Sequence, residues 1–315
     1  MAAGCARPDG LLPPLITPRL APVFALSSPL ATPPTPARPV EEAAAMLPSP
    51  TPDVLTPPAE AAAALPAAPL AAQVVGYSAL GHPLEVYRFG DGAARIVLIG
   101  GIHGGYEWNT ALLAYTVIDY LAAHPEVIPP NVTVEIIPAA NPDGLAAVVG
   151  HPGRFTVAEI AADTRPGRLN GNSVDLNRNW DCRWAPVGMW GKTEVSGGSA
   201  PRSEPETQAL IEFLGSAAVR AVIFWHSVVP GVFAGGCEGD FAPGVALAQV
   251  YAGASGYPYQ AAFTSYVVTG DAVDWLAAQG LPSIEVELKT RDALDWEQNL
   301  AGVLAVLAYS GASEP

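Results

Sequence analysis

The chain has 315 residues, half of them hydrophobic, and 30 acidic against 15 basic side chains give it a formal charge of −15. That length allows one large domain or two small ones, with enough apolar material for a sizeable core. So acidic a chain lacks the basic surface that phosphate backbones require, which argues against nucleic-acid binding and against attraction to anionic membranes. No apolar run reaches the ~18 residues of a transmembrane helix.

Residues 1–72 are dominated by Ala, Pro, Thr and Leu. Proline fixes φ and removes a backbone donor, so this stretch reads as a disordered, extended tether, with Val40–Met46 its one candidate for a helical turn. The opening Met1-Ala2-Ala3-Gly4-Cys5 resembles the end of a bacterial lipobox, where small residues precede a cysteine that becomes lipidated. The basic and apolar regions that precede such a site are missing. Two readings stand: a lipoprotein with an upstream start, anchored at Cys5, or a chance match in an Ala-rich segment. The first places the protein outside the cytoplasm, secreted or tethered to the envelope. Cys182 and Cys237 then face an oxidising compartment and can pair; otherwise they are two free thiols.

From residue 73 to 315 the texture is that of one folded domain. Val74–Tyr77 and Leu84–Phe89 read as strands joined by a turn through Gly81-His82-Pro83. Arg95–Gly101 is an apolar run ending in glycines, as in a strand buried on both faces. A helix pattern covers Asn109–His124, stopped by Pro125. Val132–Pro138 and Ala221–Trp225 are further buried strands. Between them Ser203-Glu204-Pro205-Glu206 has capping-box spacing and opens a helix to Ser216. Ser283–Leu288 reads as a strand and Asp292–Tyr309 as a terminal helix. This alternation predicts an α/β domain with a mixed, largely parallel sheet flanked by helices. Ligands of such sheets sit beyond the carboxyl ends of the strands, and His103, Asn141, His226 and Glu287 all fall there.

A catalytic zinc site takes three nitrogen or oxygen ligands and keeps one position open. Gly100-Gly101-Ile102-His103-Gly104-Gly105-Tyr106-Glu107 offers an imidazole and a carboxylate from one turn that its glycines permit. His226 offers a third ligand. The other histidines have ordinary explanations: His82 and His151 lie in Pro/Gly turns, and His124 ends a helix.

Several segments in order carry a resemblance to the zinc carboxypeptidases of the A/B type and their bacterial relatives that cut peptidoglycan peptides. They are Gly-Gly-Ile-His-Gly…Glu (100–107), Asn-Pro-Asp-Gly (141–144), Arg168-Leu169-Asn170, Val-Asp-Leu-Asn-Arg-Asn-Trp (174–180), Trp225-His226-Ser227, Tyr266 through Asp274-Trp275, and Glu-Val-Glu-Leu (285–288). The resemblance implies one Zn2+ held by His103, Glu107 and His226, with Glu287 as general base. It implies that Arg168 polarises the scissile carbonyl, with Arg154 and Arg165 as rivals in the same polar stretch. Asn177 and Arg178 would hold a substrate carboxylate, and Tyr266 would close over the substrate. Glu285 shares a strand face with Glu287 and competes for its role. Val273 stands where relatives selecting C-terminal Lys or Arg carry an acid, which argues against that device, although Asp271 lies close enough to complicate the point. One departure is plain: three residues separate His103 from Glu107, where the family usually has two. The implied substrates are a peptide C-terminus or a peptidoglycan stem peptide containing diaminopimelate. Two other functions compete: an acyl-amino-acid deacylase of the aspartoacylase type, and an inactive binding module on the same fold.

Overall fold

Short apolar runs rich in Val and Ile build the middle of an eight-stranded sheet. The computed structural model describes residues 71–215 and 219–312; the expected tether, with Cys5 and Val40–Met46, lies outside them except for Ala71 and Ala72. In chain order the elements are β1 (Gln73–Tyr77), β2 (Pro83–Phe89), β3 (Ala94–Ile99), α1 (Trp108–Ala123), β4 (Val132–Ile137), α2 (Pro142–Val149), β5 (Val187–Trp190) and β6 (Thr193–Ser196). Then follow α3 (Pro205–Gly215), β7 (Val219–Ser227), β8 (Gly231–Ala234), α4 (Ala242–Ser255), β9 (Tyr259–Gln260), α5 (Ala272–Ala278), β10 (Ser283–Leu288) and α6 (Trp296–Ala312).

The sheet order is β1-β2-β4-β3-β7-β10-β8-β9, and β5 and β6 form a separate hairpin. Strands β4, β3, β7 and β10 run parallel, while β2 and β8 join antiparallel on either side. The expected mixed, largely parallel α/β architecture is therefore present. Every residue of β3 and β4 is buried, as a parallel centre covered on both faces requires. Alternate residues feed two cores. Ile96, Leu98, Ile223 and Trp225 meet α1, α4 and α6, whereas Val97, Ile99, Val222 and Phe224 meet α3, α5, Leu176 and Trp180.

Several boundaries differ from the sequence reading for local reasons. Strand β7 continues through His226 to Ser227, so His226 lies within the strand rather than just past it. Helix α6 starts at Trp296, because Asp295 has φ +44° and the carbonyls of Thr290 and Ala293 face the amide of Asn109 instead. The hydroxyl of Ser203 accepts from Asn179 Nδ2 (3.1 Å), and Glu206 accepts from Ala79 N and Asn170 Nδ2, so the side chains expected to cap α3 tie distant loops together. Cys182 and Cys237 form a disulfide with Cα atoms 5.8 Å apart. None of the helices among the described residues is long and apolar enough to cross a membrane.

Candidate metal centre and active site

The turn after β3 is built on glycines that packing demands. A Cβ on Gly104, whose φ is +45°, would lie 2.6 Å from the carbonyl oxygen of Gly167 and 2.7 Å from the carbonyl carbon of Gly144. One on Gly105 would lie 2.4 Å from the Cβ of Val148. The loop therefore nests against α2 and coils into a short 3-10 turn, Gly104–Glu107, that runs straight into α1. All three residues between His103 and Glu107 lie in this turn. Thr110 clips it shut, donating to Glu107 O (2.8 Å) and accepting from Gly101 N (3.0 Å).

The three expected ligands come together. One ligand atom from each of His103, Glu107 and His226 lies within 4.8 Å of the others, and all three residues are buried. His103 Nδ1 is 2.9 Å from Glu107 Oε1, and His226 Nδ1 is 3.4 Å from Glu107 Oε2. Neither ring nitrogen of His103 makes a hydrogen bond, although a carboxylate faces each. A tetrahedral ion with ligands at ~2.0–2.1 Å holds them ~3.3 Å apart, so this N, N, O set fits a zinc ion. The outward nitrogens each face a carboxylate as well: His103 Nε2 is 3.3 Å from Asp175 Oδ1, and His226 Nε2 is 3.4 Å from Glu285 Oε1. Carboxylates in that position orient metal-binding imidazoles and make them more basic.

Burial works to raise the pKa of Glu107, but His103 and His226 outweigh it and hold the carboxyl below its ordinary range. Asp175 behaves likewise: burial is overcome by Arg168 first and His103 second. Glu287 moves the other way. Burial, together with Glu107 and Glu285, lifts it to about 8 against the pull of His226. Among the described residues its one hydrogen bond is from Val229 N at 3.1 Å, and the side chain is partly open to the cavity beside the candidate ligands. Glu285 is buried and accepts from Asn177 Nδ2 (2.9 Å). Of the two carboxylates on this strand face, Glu287 is thus the accessible one. It is also the register partner of His226 across β7 and β10.

Arg168 is 3% exposed and grips Asp175 Oδ2 through Nε (3.0 Å) and Nη2 (2.8 Å), with Nη1 3.6 Å from Glu107. Its rivals lie elsewhere: Arg154 pairs with Asp119 and Arg165 with Asp163, both at the surface. Arg178 is buried, donates to Met189 O (3.1 and 2.9 Å) and Asn177 O (2.5 Å), and reaches Tyr266 Oη at 3.5 Å. Asn177 is fully engaged: its amide donates to Asp271 Oδ2 (3.0 Å) and Glu285, and its Oδ1 accepts from Ala272 N (3.0 Å). Asn141 caps α2 by accepting from Gly144 N (2.8 Å) and donates to Arg168 O (3.3 Å), so it supports the loop that carries Arg168.

Some residues at the site had no assigned role in the sequence. Asp175 joins the metal loop to Arg168, and its only signal was its place inside the 174–180 run. The β5–β6 hairpin gave no strand signal, yet it brings Trp190 over Arg168 (4.6 Å to the ring centroid) and Met189 O to Arg178. Asp271 and Glu285 line both the small cavity at the ligands and a neighbouring one of about 680 Å³. Glu238, Asp240, Asp274 and Val273 also line the larger cavity, where Arg183, the one basic residue among the described lining, pairs with Asp274. Burial and the mutual repulsion of Asp271 and Glu285 raise the pKa of Asp271 well above its ordinary value.

Residues 66–231 match the model of the zinc carboxypeptidase family. Zinc carboxypeptidase A 1 of Anopheles gambiae is 29% identical over 210 residues, covering 59% of this chain and 46% of that protein. Bacteriocin BCN5 of Clostridium perfringens is 30% identical over 146 residues, 45% of this chain and 15% of the bacteriocin. The chain therefore spans less than half the length of either relative. Among solved structures, the murein-tripeptide amidase of Escherichia coli O157 shares the fold with a TM-score of 0.55 at 20% identity, over 80% of this chain and 95% of that one. With a family model covering more than half its length and the fold of such enzymes around a His–Glu–His cluster, the chain belongs to the zinc carboxypeptidase family.

Proposed function

We propose that the protein is a zinc-dependent peptidase that releases a residue bearing a free carboxylate and a cationic amine. The observation that carries this reading is the buried His103–Glu107–His226 cluster with the accessible Glu287 beside it. His103, Glu107 and His226 would hold the ion. Zinc supplies Lewis acidity, which polarises a carbonyl and acidifies a water. Glu287, on the neighbouring strand, takes the proton of the attacking water and passes it to the departing amine. Arg168, locked by Asp175, offers positive charge to the carbonyl oxygen as it becomes an oxyanion. Arg178 and Tyr266 receive the carboxylate of the leaving residue, while Asn177 holds Asp271 and Glu285 in place beneath it.

The acids around the larger cavity favour an ammonium group on that residue; Val273 argues against the single-acid device of the lysine- and arginine-selecting relatives, but Glu238, Asp240, Asp271 and Glu285 all line the cavity. A C-terminal lysine and the diaminopimelate of a peptidoglycan stem both carry that chemistry, and the likeness to a murein-tripeptide amidase supports the second. The disulfide supports an extracytoplasmic setting. The test couples zinc quantification to a screen for released C-terminal residues. One zinc per chain with release of amine-bearing residues is expected. A zinc-loaded protein that leaves peptides intact but cleaves N-acyl amino acids would replace the peptidase with a deacylase.

A further inference from the structure

Ten arginines lie among the described residues, and seven of them face a carboxylate: Arg88, Arg95, Arg154, Arg165, Arg168, Arg183 and Arg202. In a chain with twice as many acids as bases that is the ordinary outcome. Three have no ion pair. Arg220 is exposed at the start of β7, and Arg178 is the arginine expected to receive a substrate carboxylate. The third is Arg291, in the loop between β10 and α6.

Arg291 is not a loose surface cation. Its guanidinium carbon sits 4.4 Å from the ring centroid of Tyr106, the residue just before the ligand Glu107. Its Nε is buried without a hydrogen-bond partner, and the side chain is otherwise partly exposed. The loop that carries it is anchored from within, because the buried Asn109 donates to Thr290 O (2.8 Å) and Ala293 O (2.9 Å) on either side of it. Arg168 approaches the same Tyr106 ring at 5.6 Å, and Trp190 packs edge-on against that ring at 4.9 Å. A stacked guanidinium uses its flat face and keeps its N–H edge for a planar anion.

We propose that Arg291 recognises a carboxylate on the acyl residue of the substrate, the residue that contributes the scissile carbonyl. This rests on the peptidase reading above, in which Arg168 faces that carbonyl. A group that shares Tyr106 with Arg168 then serves the acyl side, while the leaving residue lies with Arg178, Tyr266 and the acidic cavity. Arg178 is taken by the carboxylate of the leaving residue, so Arg291 is where a second anionic group can be received. Two substrates carry the chemistry: a γ-linked glutamyl residue, whose α-carboxylate is free, and an α-linked one, whose side-chain carboxylate is free.

The test uses the full chain loaded with zinc and four probes: acetyl-γ-glutamyl-lysine, acetyl-α-glutamyl-lysine, and the two counterparts in which the free glutamyl carboxylate is an amide. Calorimetric Kd and kcat/KM are both measured. A charge-assisted hydrogen bond predicts that at least one acid binds about tenfold or more tightly than its own amide. The linkage showing the larger ratio identifies the source. In Arg291→Ala, and in Arg291→Gln as a second variant, the acid-to-amide ratio falls to about one, whereas Arg220→Ala keeps it. Equal affinity of acid and amide in the unmodified protein, or a ratio that survives both Arg291 variants, overturns the proposal. If the ratios behave as expected but no probe is cleaved, the anion site stands and the peptidase reading falls.

Discussion

Replacing Asp175 with asparagine tests whether the metal loop and Arg168 depend on one buried charge. Asp175 is fully buried and its partner Arg168 is 3% exposed, so neither is solvated when the other changes. The substitution removes the anion that Arg168 grips at 2.8 and 3.0 Å and that His103 Nε2 faces at 3.3 Å. Breaking a buried pair from one side costs ~3–5 kcal/mol, and the amide oxygen keeps one acceptor, so a loss of about 3 kcal/mol is expected. Loss of the carboxylate behind a metal-binding imidazole weakens zinc by ~10–100-fold. Urea denaturation with saturating zinc reads the first effect, and competition with a chromophoric chelator reads the second. Asp175→Asn protein with stability within about 1 kcal/mol and zinc affinity within about threefold of the original would refute the coupling.

Glu287→Gln keeps the shape of the side chain but removes its proton acceptor, so kcat/KM should fall by ~10²–10⁴ with zinc content unchanged; a near-normal rate would move the base to Glu285. Cys182→Ser opens a loop with a sequence separation of 55, which chain entropy values at ~4 kcal/mol, so a urea midpoint equal to that of the oxidised protein would contradict the bridge. The chelator-stripped protein should lose stability as pH rises from 4.5 towards about 8, because Glu287 binds its proton more tightly folded than unfolded across that window. His226, whose pKa Glu107 raises against burial, adds in the same direction: its contribution is present below 6.5 and lost as pH rises through the folded value. Zinc should abolish most of this fall by keeping the carboxylates ionised, and thermal melts of the stripped protein that rise over the same range would refute the argument.

The sheet centre and the three candidate ligands were legible because apolar periodicity is strong in the buried strands, and a polar residue at a strand's end or in the turn after it stands out. Helices α2 and α4 were not read, although Asn141-Pro142 with Gly150, and Pro243 with Gly256, are end signals in plain sight. Their outward faces carry Ala and Gly rather than charged residues, as at Ala147 in α2 and Ala242, Gly253 and Ala254 in α4, so they show little amphipathic contrast. The hairpin was missed because Val187–Trp190 and Thr193–Ser196 are only four residues each and find their place by contacts to Arg178 and Arg168. Asp175, Asp271 and Glu285 show a different limit. Their roles depend on partners far away in the chain, and nothing local distinguishes a buried carboxylate from a solvated one.

The pairing of Glu287 with His226 across β7 and β10 makes the sheet a ruler for the chemistry. The lateral spacing of His226 and Glu287, the proposed ligand and the proposed base, is set by backbone hydrogen bonding, at the ~4.8 Å repeat between strands. The chain beyond β8, including α4 and the segment with Phe263 and Tyr266, can then change length or composition without shifting that spacing. Under the proposed function, selectivity and reactivity then reside in parts that can diverge independently, and insertions after β8 should alter what is cleaved well before they alter whether cleavage occurs.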